Sequence, residues 1–334
     1  MTHEEQFRNK VSWISIICAV LVVFLHSYAF NDGARDLFAY HLEFFISRNI
    51  AQASVPVFFA LSAFLFYRNF AYSRLLSKFR SRFRSLVIPY LVWNIISMIA
   101  FYFLSRLPFI NTEPFDWTLD TIVDGVIFYR YNLVFWFVFQ LILLTYLFPL
   151  LYPVLKRRLL AAALFVLLVF LYGNGRILIW RIELKALIFY YFGAFWAVQF
   201  QQKVAEHQKA SVLGISCFLL SQIMIYSDAA ETPLVYILTR LLMIVAVYDL
   251  AGLLSRFRLP ALLNCSFPIY ALHNLILEFF NKVFSFFLSP DSNLILLDYF
   301  GSTLATLLII MAVNRFLSAK LPKVHGFLFG GRGK

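Results

Sequence analysis

Ten apolar segments, most of them near twenty residues long, recur along this 334-residue chain with only short connections between them. A helix rises 1.5 Å per residue, so about 20 residues cross the roughly 30 Å hydrocarbon core of a bilayer. The segments read as 11–30, 52–70, 86–104, 133–155, 159–172, 184–200, 211–226, 234–254, 267–288 and 294–317. The fifth and seventh fall short of the usual span, which leaves the count open by one or two. Composition agrees with a lipid solvent: 62% of the residues are hydrophobic and only 14% charged, where a soluble domain carries about 25% charged. A soluble two-domain enzyme, a disordered chain and a secreted disulfide scaffold are excluded. Cys18, Cys217 and Cys265 all sit in apolar stretches, which argues against disulfides. The expected fold is an all-α membrane protein, a polytopic bundle of about ten transmembrane helices. It reads as a single domain, 1–334, with a core over about 11–318 and a basic cytoplasmic tail over 319–334.

A formal net charge of +12 would suggest nucleic-acid binding if taken alone. Its placement argues for topology instead. If the N-terminus starts in the cytoplasm, alternate connections place twenty of the 29 basic residues on the cytoplasmic side, including the run from Arg74 to Arg84, Lys156 to Arg158, and Arg315, Lys320, Lys323, Arg332 and Lys334. The outer connections, 31–47, 111–125 and 227–232, are the acidic ones. This is the positive-inside pattern. Both termini are therefore expected in the cytoplasm, with membrane lipids as partners and no nucleic acid. The first thirty residues read as an uncleaved signal anchor, because no small-x-small site follows the apolar run. There is no internal repeat, no Gly-rich phosphate loop and no CxxC.

An ionisable side chain at the centre of a membrane helix costs roughly 2.5–3.5 kcal/mol, so such residues usually face a bundle interior and mark a site or pathway. That filter selects His26, His273, Arg240, Asp249 and Glu278, with Lys185, Lys282, Arg48 and Arg181 nearer the outer interface. His26 stands toward the outer end of the first span, where a neutral imidazole can take a proton from a hydroxyl. From position alone, a general base and a histidine bonding the interface are equally good readings. His273 lies deeper in the ninth span and must have partners, with a structural role favoured over chemistry. Glu278 and Lys282, four apart on one helix, can neutralise each other. Arg240 and Asp249 lie about 13 Å apart along the eighth span, too far to pair, so each needs a partner elsewhere or an interfacial position. His3, His41, His207 and His325 fall in loops or tails without ligand spacing, so no metal is expected.

The stretch Lys78-Phe79-Arg80-Ser81-Arg82-Phe83-Arg84 precedes Ile88-Pro89-Tyr90 at the cytoplasmic start of the third span. It reads equally as a topology signal that binds anionic lipid headgroups and as a patch whose guanidinium forks hold the phosphates of a cytosolic donor.

Several stretches, in order, resemble the acyltransferase 3 family of integral membrane acyltransferases. Ser54-Val55-Pro56-Val57-Phe58-Phe59-Ala60-Leu61-Ser62-Ala63-Phe64-Leu65 is similar to its V-P-x-F-F-x-x-S-G-F/Y-L. Leu86-Val87-Ile88-Pro89-Tyr90, Phe135-Trp136-Phe137 before Pro149, Tyr190-Tyr191-Phe192-Gly193, and Ser266-Phe267-Pro268-Ile269-Tyr270-Ala271-Leu272-His273 resemble its later landmarks. The order and spacing hold from about Trp13 to Arg315. The resemblance implies an acyl group, often acetyl, carried from cytosolic acyl-CoA to a hydroxyl of a glycan or lipid-linked sugar, in a bacterial-type inner (plasma) membrane. The family's catalytic histidine matches His26. Its arginine, which precedes that histidine with ten residues between them, is replaced here by Ser15, and its second-span glycine by Ala63. Lys10 or Arg8 could replace the arginine, although at 1.5 Å per residue they lie about 24 to 27 Å from His26, against about 16 Å for Ser15.

The expectation is therefore an O-acyltransferase, with acetyl-CoA or another acyl-CoA as co-substrate and no bound cofactor. His26 is the expected base. Arg80, Arg82, Arg84 and Ser15 are expected at the donor, and Arg48, Ser62, Trp136 and His273 at the acceptor. Rival readings are a polyprenyl-sugar or small-solute transporter, and an inactive family member acting as an assembly partner, which Ser15 keeps open.

Overall fold

A computed structural model describes residues 2–27, 36–106, 115–227, 232–289 and 292–331. The end of the first expected span at Phe30, parts of the three acidic connections, and Arg332 and Lys334 lie outside the described residues. The described chain is helical apart from its connections and one short antiparallel hairpin, β1 (Leu178–Ile179) with β2 (Ile182–Glu183). The long helices are α1 (His3–His26), α2 (Phe38–Tyr67), α3 (Tyr72–Leu104), α5 (Leu133–Lys156), α10 (Pro233–Leu253) and α12 (Ile295–Lys320); these six are long and apolar enough to cross a membrane. Between them run α4 (Leu119–Val126), α6 (Arg158–Gly173), α7 (Leu184–Gln199), α8 (Gln201–Glu206), α9 (Val212–Ile225), α11 (Ser266–Ser285) and α13 (Pro322–Phe329). Among the described residues, each of the ten apolar segments overlaps a helix.

The second and third helices start earlier than the hydropathy pattern indicates. Residues 38–47 belong to the stretch 31–47 that reads as an outer connection in the sequence. Glu43, Ser47 and Asn49 are buried instead, so these polar groups face protein rather than water. Likewise the basic run from Arg74 to Arg84 is already helical. His41 and His325, expected in a loop and a tail, are in helices, and His3 opens α1.

Both helices carry a π turn, Phe45–Ile50 in α2 and Phe83–Val87 in α3. A proline follows each, Pro56 and Pro89. A proline inside a helix has no N–H to give and its ring crowds the carbonyl four residues back, so the ladder loosens just upstream. π turns of this kind are frequent at functional sites, and these two carry Arg48 and Arg84.

Two compact units emerge, one of 1–69 and 149–315, the other of 70–148 and 316–334. In the first, α7 lies against α2 with Gly193 at the backbone of Ala60, where an added Cβ would overlap the Ala60 carbonyl. Ala63, in the place of the family's glycine, is fully buried in the same helix. In the second unit α13 packs on α3: Trp93 Nε1 donates to the Leu328 carbonyl (3.0 Å), Phe329 is fully buried, and Gly330 turns the chain at φ 70° beside Ser85. Tyr90 and Asn94 of α3 donate to the carbonyls of Ile127 and Val126.

Candidate functional site

α1 is set by interactions at its N-terminal end. Thr2 and Glu5 form a reciprocal capping box, which satisfies backbone donors that a helix start leaves free. Glu4 accepts hydrogen bonds from Arg8 and Arg68. The Asn9 amide donates to the carbonyls of Ser255 and Phe257 and accepts from the Leu259 N–H, while the Trp13 indole also donates to Phe257. These bonds fix the depth and rotation of the helix. Along its length, Ile16, Ala19 and Val23 pack with Ile269 and Leu277 of α11 and Ile310 of α12.

Residues 16, 19, 23 and 26 recur at helical spacing, so His26, the last residue of α1, continues the stripe that faces α11. On α11 the corresponding stripe is Ile269, His273, Leu277. The imidazole of His26 accordingly lies against that of His273, ring centroids 5.1 Å apart at 52°. His26 is exposed, and no hydrogen bond to its ring occurs among the described residues. His273 is fully buried; its Nδ1 faces the carbonyls of Tyr270 (2.8 Å) and Ile269 (3.2 Å).

A ring of hydroxyls holds the end of α1. Ser47 of the α2 π turn donates to the Phe24 carbonyl (2.8 Å) and meets the Tyr299 hydroxyl (2.7 Å). Ser27, fully buried, is bonded to the Val23 carbonyl and to the Thr303 hydroxyl. A serine so engaged is not a free nucleophile beside the imidazole.

The other expected site residues divide between the units. In the first unit Ser15 donates its hydroxyl to the Val11 carbonyl (2.8 Å) and Ser62 is half-buried on α2. The Arg48 side chain is exposed, and its carbonyl receives Arg240 Nη2 (3.3 Å), which also donates to Gln52. Lys10 is fully buried, its ammonium donating to the His207 carbonyl (2.7 Å) and lying 4.0 Å from the centre of the Tyr248 ring. Arg8 is ion-paired with Glu4. In the second unit α3 carries Arg80 and Arg84, exposed, with Arg82 half-buried, and Trp136 is half-buried early in α5.

Of the two places open to Arg240 and Asp249, a partner on another element or an interfacial position, both take the first. Sequence reasoning did not find the partners. Asp249 accepts from His207 Nε2, from the Ser211 N–H and hydroxyl, and from the Gly214 N–H at the start of α9. His207 and Asp249 also edge an otherwise largely apolar cavity of about 280 Å³ lined by Ile14, Ala60, Trp196 and Tyr248. Glu278 accepts from Asn274 on its own helix (2.7 Å).

The helices define an all-α membrane protein, in which two imidazoles meet at the end of a long apolar helix. The acyltransferase 3 family model, an acyltransferase domain, matches residues 9–315, and the chain belongs to that family. Neither a curated protein nor a solved structure gives a significant match.

Proposed function

We propose that this membrane acyltransferase moves an acyl group, most simply acetyl, from cytosolic acyl-CoA to a hydroxyl of a cell-surface polysaccharide or lipid-linked sugar, with His26 as general base. The observation that carries the reading is the exposed His26 imidazole, held at the end of α1 on a face that turns inward to α11. Its unprotonated nitrogen takes the hydroxyl proton as the oxygen attacks the thioester carbonyl carbon. The C–S bond then breaks, and the departing thiolate recovers that proton from the imidazolium. A thioester is already activated, so no acyl-enzyme is needed.

Arg80, Arg82 and Arg84 are assigned to the phosphates of the donor, because guanidinium forks hold phosphate oxygens in pairs. Ser15 is assigned to the donor path, Arg48, Ser62 and Trp136 to the acceptor, and His273 beside His26 to the same end. The protein is placed as one acyltransferase domain of about ten spans in a bacterial-type inner membrane, both termini cytoplasmic, with the basic connections inside.

The test uses purified protein, radiolabelled acetyl-CoA and a panel of cell-envelope glycans, comparing wild type with His26→Ala. Transfer by wild type and none by the variant is expected. Transfer that survives the substitution removes His26 from the mechanism, and no transfer by wild type to any acceptor overturns the acyltransferase reading in favour of an inactive assembly partner or a transporter.

A further inference from the structure

We infer that His273 is a positioning residue for His26, its Nε2 accepting the hydrogen bond that sets which way the His26 ring points and which of its nitrogens carries the hydrogen. This rests on the reading of His26 as the base and adds the group that orients it.

The tautomer of His273 follows from its neighbours. Nδ1 lies 2.8 Å from the Tyr270 carbonyl and 3.2 Å from that of Ile269, and a carbonyl oxygen only accepts, so Nδ1 carries the hydrogen. No carboxylate forms a salt bridge with His273 among the described residues, so the buried ring is neutral and Nε2 is a bare acceptor. That nitrogen is buried and has no hydrogen-bond partner among the described residues. A buried acceptor without a donor is costly, and the imidazole packed beside it is that of His26.

The torsion that swings an imidazole about its Cβ–Cγ bond is broad, and the exposed His26 ring has room to turn. A turn that aims one N–H at His273 Nε2 leaves the other nitrogen with its lone pair directed away from α11, toward the open side where an acceptor hydroxyl approaches. When that nitrogen takes the proton, the N–H already bonded to His273 stabilises the imidazolium. This is the role an orienting carboxylate plays in a catalytic triad, filled here by a neutral ring. The helix spacing supports it, because 269, 273 and 277 share the face that meets α1.

Diethyl pyrocarbonate, which carbethoxylates unprotonated imidazole, tests the pair without any substrate. In the full-length protein in detergent at pH 7.5, His273→Leu is expected to slow modification of His26 at least fivefold, read by peptide mass spectrometry. The exposed His3 and His41 are internal controls and should not change. His273→Gln, whose amide carbonyl still accepts, should stay within about twofold of wild type. In the transfer assay His273→Leu should lower kcat at least tenfold, and Gln should restore most of it. Equal His26 labelling in wild type and His273→Leu overturns the inference. If wild type transfers no acyl group, the general-base reading fails while the labelling still decides the pair.

Discussion

Asp249 Oδ1 lies 2.5 Å from His207 Nε2, and the same carboxylate receives two bonds from Ser211 and one from the backbone of Gly214. One side chain of α10 thus caps the start of α9 and ties down the connection that precedes it. The approach is close: a Cβ on Gly214 would run into the carboxylate.

Asp249→Ala strips these donors of their acceptor. Each buried donor left unmade costs about 1–3 kcal/mol, so a clear loss of thermal stability is expected. Asp249→Asn, which keeps an oxygen, should lose less. Melting followed by size-exclusion of detergent-solubilised protein measures both, and a melting point unchanged in the alanine variant would refute the role given to this carboxylate.

Gly193 permits the backbone contact between α7 and α2, and Gly193→Val is expected to abolish accumulation of monodisperse protein. Even Gly193→Ala should be severe, because the group it would strike is the backbone of Ala60 rather than the end of a flexible side chain. Expression and chromatographic profile decide it.

Arg240 is 4% exposed, and its Nε and Nη1 have no hydrogen-bond partner among the described residues. Gln52→Leu removes the side-chain acceptor of its remaining nitrogen, and leaving a buried donor unsatisfied costs about 1–3 kcal/mol, more when the donor is charged. Arg240→Met, which removes the charge and keeps the length, should be tolerated far better. Comparing melting points of the two variants tests this; equal losses would contradict it.

Burial pushes the His325 imidazole on α13 below its ordinary pKa. The unfolded chain then binds the proton more readily than the docked helix, so docking is unaffected above about pH 6.5 and weakens as the pH falls below it. Hydrogen-exchange protection over 322–329, corrected for the intrinsic exchange rate at each pH, should fall as the pH drops from 7 to 5. His325→Gln should flatten that dependence.

Arg80, Arg82 and Arg84, replaced together by Gln, should raise the KM for acyl-CoA several-fold with little change in kcat, and the difference should shrink as salt is added. A kcat effect at unchanged KM would take these residues away from donor binding.

Much of this was legible in the chain. The excess of apolar residues determined a lipid solvent, segment length determined where most helices lie, and the cost of an ionisable group in lipid singled out His26 and His273. The early start of α2 was not legible, because Glu43, Ser47 and Asn49 look like loop residues until their side chains are seen to be buried. The docking of α13 was equally hidden, since it depends on Trp93 reaching a carbonyl from the other end of the sequence.

Periodicity selects the inward face of a helix and cannot select its neighbour. Lipid satisfies no hydrogen bonds, so polar groups in these helices are driven to seek protein partners. The residue types dictated that need, but packing alone decided that Asp249 meets His207, that Arg240 meets Gln52, and that two imidazoles from opposite ends of the chain meet each other.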